Sequence, residues 1–152
     1  MELDGLHHVS AITGNAPSNV VFYTNVLGLR LVKKTVNQDD TSMYHLFYGA
    51  EVGRASTKMT FFDWPTANQH LAVTGIISTT AFRVAGEESL DWWARRFTRL
   101  GVHFQEVIER DGRSVLRFTD PEGQRLEFVD DTQAAESGGV SRGIPWGRAR
   151  YR

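Results

Sequence analysis

The chain contains no cysteine, which excludes a disulfide framework, a thiolate metal site and a cysteine nucleophile. Any metal must then be held by His, Asp or Glu, a donor set that favours hard or borderline ions. Excess charge is lacking too: 17 basic residues stand against 18 acidic ones, a net charge of -1. Bulk electrostatics therefore give no attraction to nucleic acid or to an anionic membrane. No apolar run approaches the ~18 residues that span a bilayer, and the amino terminus carries no basic-plus-apolar leader. The expectation is a cytoplasmic protein with neither nucleic acid nor a membrane as partner. No phosphate-cradling glycine loop and no nucleophile-base-acid arrangement is present, so the glycine-rich stretches read as turns.

What is present suits a globular fold: 152 residues with 41% hydrophobic and 23% charged side chains fit one domain or two small modules sharing a core. Gly5-Leu6-His7-His8-Val9-Ser10-Ala11-Ile12-Thr13 reads as an opening strand. Gly14 to Ser18 is a loop with Asn15 or Ser18 as N-cap. Val20, Tyr23 and Leu27 recur at helical spacing over Asn19 to Leu27, and Gly28 offers the C-terminal cap. Strands follow at Arg30 to Val36, Met43 to Tyr48 and Thr57 to Phe62. The order is β-α-β-β-β.

That order repeats. Gly75 to Val84 reads as a strand, and Glu87 to Leu100 as a helix with Leu90, Trp93, Phe97 and Leu100 on one stripe, closed by Gly101. Three strands come next: His103 to Glu109, Ser114 to Thr119 and Arg125 to Val129, joined by an Asp111-Gly112 hairpin turn and an Asp120-Pro121-Glu122-Gly123 turn. Leu100-Gly101-Val102 echoes Leu27-Gly28-Leu29, and Glu127-Phe128-Val129-Asp130 echoes Thr60-Phe61-Phe62-Asp63. A period near seventy residues indicates duplicated halves rather than a solenoid. The expected architecture is α+β: residues 4–64 and 72–130 as tandem modules of one domain over 1–131, a linker at 65–71, and an extended tail over 132–152.

Strand alternation sends His7 and His8 to opposite sides of the sheet, so one imidazole is a candidate ligand and the other its neighbour. His8 shares its face with Ser10. A single strand histidine is commonly a hydrogen-bonded structural residue, and that alternative stands beside the ligand reading. Glu127, between Leu126 and Phe128, faces away from a helix that those two pack against. Its alternative role is a strand glutamate paired with Arg125 or Arg117. His45 and Tyr48 lie on opposite faces of the third strand, as pocket or packing residues. His70 and His103 read as surface residues, Trp93 and Phe97 as core, and Arg95, Arg96 and Arg99 as a solvated helix face.

The tandem modules, the opening Leu-His-His-Val, the helix Phe22-Tyr23-x-x-Val26-Leu27-Gly28-Leu29 and the closing Asp120-Pro121-x-Gly123-x-x-x-Glu127-Phe128 resemble the glyoxalase / bleomycin resistance / extradiol dioxygenase superfamily. More narrowly, Leu31 to Asp40, Tyr44 to Gly49 and Met59 to Pro65 are similar to the amino-terminal half of hydroquinone-type ring-cleaving dioxygenases. Gly143-Ile144-Pro145-Trp146 resembles the connector that leads, in those roughly twice-longer enzymes, to a second pair of modules.

The resemblance implies a glyoxalase-like cup of mixed sheet with helices on its outer face and a metal on its concave side. It implies His8 as a ligand of Fe(2+) or Mn(2+), His7 and Ser10 as neighbours that touch substrate or orient the ligand, and Glu127 at the superfamily's carboxylate position. In the longer dioxygenases the remaining histidine and glutamate ligands come from the second half. Internal alignment puts the other positions of a two-module site near Thr60 and Thr79 or Thr80, which are not usual metal ligands.

The function expected on this basis is ring cleavage of a small aromatic diol by dioxygen, by the chain or by a longer enzyme whose amino-terminal domain it forms. The alternative is a metal-poor dimer that holds an aromatic ligand in its cup. A glyoxalase-type isomerase or transferase would need further His or carboxylate ligands. Open sheet edges need partners, so a homodimer is expected.

Overall fold

A computed structural model describes residues 8–36, 41, 43–49, 58–65 and 77–132. His7 and His70, the linker apart from Pro65, and the tail beyond Thr132 lie outside the described residues. The chain divides into two compact units, Met1–Leu71 and Ala72–Arg152.

In the first unit, β1 (His8–Thr13), β2 (Arg30–Val36), β3 (Tyr44–Gly49) and β4 (Lys58–Asp63) form one mixed sheet in the order β1-β4-β3-β2. Strand β1 runs parallel to β4, and the other pairs are antiparallel. A β-bulge between Leu31 and Lys33 shifts the register of β2.

Helix α1 (Ala16–Val21) starts three residues earlier than the apolar spacing suggests, because Asn15 is the cap: its side chain accepts the Ser18 amide at 3.1 Å, and a proline stands in the first turn. From Phe22 to Val26 the helix widens into a π-helical turn, with the Leu27 amide bonded to the Phe22 carbonyl at 3.0 Å. The widened turn rotates the buried face. Phe22, Tyr23 and Leu27 are buried while Val20 is half-buried. Tyr23 stacks on Tyr48 at 5.2 Å between centroids and lies 4.8 Å from Phe61, which fixes one face of the sheet as the helix side.

The second unit repeats the plan. Strands β5 (Thr80–Val84), β6 (Ile108–Arg110), β7 (Arg113–Thr119) and β8 (Arg125–Asp130) pair in the order β5-β8-β7-β6. Helix α2 (Glu87–Leu100) begins after Gly86, whose amide donates to Asp130 Oδ1 at 3.0 Å. It ends on Gly101 in the left-handed region, with the Val102 amide reaching back to the Phe97 carbonyl at 3.0 Å. Trp93 packs on Phe128 at 4.5 Å and Phe97 on Phe118 at 4.8 Å. Leu100, expected on this stripe, is 45% exposed as the last helical residue. Of the expected solvated arginines, Arg96 is half-buried, its guanidinium 5.4 Å from the Trp92 ring centre.

The expected strand from His103 to Glu109 is mostly irregular. Phe104 makes one bridge to Phe118, and pairing resumes only at Ile108. The hairpin after it does have the expected turn: Asp111 and Gly112 both take positive φ, 53° and 71°. Strand β5 is likewise shorter than Gly75 to Val84, since residues 77–79 carry no strand pairing.

Candidate functional site

In the first unit, alternation leaves His8 and Ser10 of β1 on the face opposite Tyr23, in register with Lys58 and Thr60 of β4. Phe47 and His45 of β3 continue that face, paired with Thr60 and Phe62, and Lys33 and Thr35 of β2 complete it. His8 is exposed on its edge strand. Ser10 Oγ and Thr60 Oγ1 lie 2.9 Å apart, and Thr60 is fully buried. The hydroxyl at Ser10 thus satisfies a buried threonine as well as standing two residues from His8.

His45 is held between two rings, 4.1 Å from Phe47 and 4.0 Å from Phe62 by centroid. Its Nε2 is buried without a hydrogen-bond partner. Desolvation lowers its pKa below the usual imidazole value, and the neighbouring charges of His8 and Lys33 push in the same direction. A neutral imidazole in an aromatic sandwich results. Tyr48 on the opposite face is core: it is fully buried, its hydroxyl donates to Asn19 Oδ1 at 2.8 Å, and burial drives its pKa far upward.

In the second unit, the structural repeat puts Glu127 on β8 at the place that Thr60 has on β4, since both central strands begin two residues before. Leu126 and Phe128 point to α2, and Glu127 faces the other way, opposite Arg117 and Ala81. Its carboxylate is engaged. Arg110 Nη1 donates to Oε2 at 3.0 Å and Nη2 to Oε1 at 2.5 Å, while Arg117 Nε stands 3.8 Å from Oε2. The ion pair pushes the Arg110 pKa further up, chiefly through the hydrogen bonds to Glu127. Of the two partners that alternation suggested, Arg117 is close, but the dominant one is Arg110 from the short edge strand. Arg125 instead donates through Nε to the Ser78 carbonyl at 3.0 Å.

Among the described residues no three His, Asp or Glu side chains gather as a metal site. His8 offers one imidazole, and Glu127 would have to release two guanidinium hydrogen bonds before binding an ion. Thr80 Oγ1 is buried without a partner, and Thr79 is exposed beside Arg125. The described residues therefore do not compose a metal centre by themselves; one that uses His8 needs donors from outside them. His45, which the sequence offered as a pocket or packing residue, comes to the His8 face through the registers of β1 with β4 and of β3 with β4, which strand alternation alone does not give.

A family model described as Glyoxalase/Bleomycin resistance protein/Dioxygenase superfamily matches residues 5–128. A Bacillus subtilis protein named as ring-cleaving dioxygenase MhqA is 46% identical over 145 residues, 95% of this chain and 44% of that one. The chlorohydroquinone/hydroquinone 1,2-dioxygenase of Sphingobium indicum is 35% identical over 131 residues, 84% of this chain and 40% of that one. The chain thus spans less than half the length of these relatives. A crystal structure described as a dioxygenase from Bacillus subtilis superposes with TM-score 0.77 at 41% identity, covering 84% of this chain and 40% of that one. A glyoxalase-type domain from Frankia, at TM-score 0.72 and 17% identity over 84% of this chain and 98% of its own, shares the fold.

Proposed function

We propose that this chain, which belongs to the Glyoxalase/Bleomycin resistance protein/Dioxygenase superfamily, provides the His8-bearing half of a metal-dependent dioxygenase that opens the ring of a small aromatic diol. The observation that carries this reading is the open face of the first unit. There His8 and Ser10 stand beside Thr60 and an aromatic shelf of Phe47, His45 and Phe62. The similarity to proteins named as ring-cleaving dioxygenases supports it.

His8 is one ligand of an Fe(2+) or Mn(2+) ion whose other donors come from a second copy or a further stretch of chain. Such an ion, when bound, holds diol and dioxygen together and stabilises developing charge. The chain's own contribution is placement. Phe47 and Phe62 present apolar surface to a planar ring, and the Ser10 hydroxyl, set by Thr60, stands on the same face. The neutral His45 adds no competing cation. His7, the neighbour of His8 in the opening motif, has in this reading the role of hydrogen-bonding substrate or orienting the ligand. Glu127 belongs in this reading to its ion pair with Arg110 rather than to a metal.

The second reading is a metal-poor dimeric module that binds an aromatic ligand, for which the aromatic shelf of Phe47, His45 and Phe62 would serve without an ion. Metal analysis separates the two. The 152-residue chain should bind iron or manganese below one equivalent and consume little oxygen with hydroquinone. Joined to a partner segment that supplies further donors, it should bind one ion per site and turn over, and His8→Ala should abolish both. Full activity and metal binding after His8→Ala would overturn the assignment. A homodimer in the cytoplasm belongs to this reading: among the described residues β1, β2, β5 and β6 are edge strands, which suits pairing with a second copy, and sedimentation and cell fractionation test the two points.

A further inference from the structure

Across the open face of the first unit, strand register sets Ser10, Thr60, Phe47 and Lys33 in one row, with the His8 strand at one edge of the sheet and the Lys33 strand at the other. Lys33 Nζ stands 5.5 Å from the centre of the Phe47 ring, so the ammonium leans from its edge strand over the aromatic shelf. We propose that Lys33 holds a hydroxyl of the bound ring in its ionised form, the hydroxyl farthest from His8. The proposal rests on the reading above for its ligand, a small aromatic diol, and assigns the other end of that site.

Charge on this face is one-sided. The four strands carry a single carboxylate, Asp63, and its pairing with Thr13 puts it on the helix side. Register leaves His8 of β1, Arg30 and Lys33 of β2, His45 of β3 and Lys58 of β4 on the open side. Lys58 pairs with His8 and Arg30 with Gly49, whereas Lys33 pairs with a shelf residue and has its ammonium over a shelf ring. Among the described residues no ion pair involves Lys33, and its charge is felt at His45, where it helps to lower the imidazole pKa. An ammonium without a counter-ion, beside apolar rings, favours the charged form of an acid placed next to it.

The row spans three inter-strand spacings, about 14 Å between the outer backbones. Both outer side chains work inward from it: Ser10 Oγ lies 2.9 Å from Thr60 Oγ1, and Lys33 covers Phe47. A planar ring lying on Phe47 beside Thr60 then turns one edge toward Ser10 and His8 and the opposite edge toward Lys33. Two hydroxyls on opposite edges of the ring meet both ends of the row, while two adjacent hydroxyls leave Lys33 without a partner. Ionisation breaks only an O–H bond: the proton leaves to solvent, and the oxyanion stays beside the ammonium in a charge-assisted hydrogen bond.

Equilibrium dialysis and absorbance on the full chain, with no metal added, test this with 4-nitrophenol, whose ionised form is coloured, and 4-nitroanisole, the same ring with a methyl ether that cannot ionise. Bound nitrophenol should ionise at a lower pH than the free compound. Lys33→Met, which keeps an apolar stem, should weaken nitrophenolate binding about three- to fivefold, the scale of an exposed ion pair, and leave nitroanisole binding unchanged. Lys33→Arg should restore most of the loss. Lys34 pairs with Leu46 on the opposite face, so Lys34→Met removes the same charge and should bind nitrophenolate as the wild type does. Lys33 is exposed, so its variants should keep the far-ultraviolet spectrum. Four results would each overturn the proposal: no nitrophenolate binding at millimolar concentration, equal binding to Lys33→Met and the wild type, an equal loss in Lys34→Met, or an equal loss for nitroanisole. Inorganic phosphate, with more charge and no ring, should bind more weakly than nitrophenolate; equal or tighter binding would reduce the face to a charge site and overturn it too. Missing metal or turnover sinks the ring-cleavage reading and leaves these affinity ratios untouched, so the two fail separately.

Discussion

Arg110 holds Glu127 by both carboxylate oxygens, across a gap of one strand, with the acid side chain 6% exposed and the base 41% exposed. Charge removal should therefore act unequally at its two ends. Arg110→Met leaves a buried carboxylate with only the distant Arg117, whereas Glu127→Gln leaves a guanidinium that water can reach. Thermal unfolding should show the larger loss for Arg110→Met, and the double variant should recover part of it. Any rise in melting temperature on adding manganese should be the same in Glu127→Gln as in the wild type; a rise that Glu127→Gln removes would make Glu127 a ligand.

His45 gives the first unit a pH dependence of known sign. Its folded-state pKa lies below the ordinary value of 6.5, so between the two values the unfolded chain binds the extra proton. Stability from this group is fully present above pH 6.5 and is lost as pH falls through the folded value. Melting temperature should drop on acidification from pH 7.5 to 5, and His45→Gln should flatten that part of the curve. Imidazole titration by NMR would contradict the account if the His45 midpoint lay above 6.5.

Tyr48→Phe should destabilise the first unit by about 1–2 kcal/mol, the usual cost of stranding a buried hydrogen-bond partner. Asn19 is buried and its Nδ2 is already without a partner, so its Oδ1 finds no easy substitute for the Tyr48 hydroxyl. Chemical denaturation measures this directly. A change near zero would mean that the hydroxyl contributes nothing beyond the stacked ring.

On α2, position decides the cost of losing an apolar side chain. Trp93→Ala should remove about 3–5 kcal/mol, since Trp93 is buried against Phe97 and Phe128. Leu100→Ala should cost no more than about 0.5 kcal/mol at its 45% exposed site. Equal effects in urea unfolding would refute the packing described for the helix.

The sequence by itself determined the tandem β-α-β-β-β order, the bounds of α2 and the hairpin at Asp111-Gly112, because each rests on local signals: helical spacing, a capping glycine, or a residue pair suited to positive φ. Alternation also determined that Glu127 turns away from Leu126 and Phe128 and that His8 accompanies Ser10. Only the tertiary structure decided what these side chains meet. The π-helical turn at Phe22–Val26 moved the buried face from Val20 to Phe22, and the stretch from His103 meets β7 only around Phe104 before regular pairing resumes at Ile108. Which arginine reaches Glu127 depended on the register of two strand pairs and on a long side chain crossing between them. Period-two alternation assigns a face; register and reach, which are long-range quantities, assign the partner.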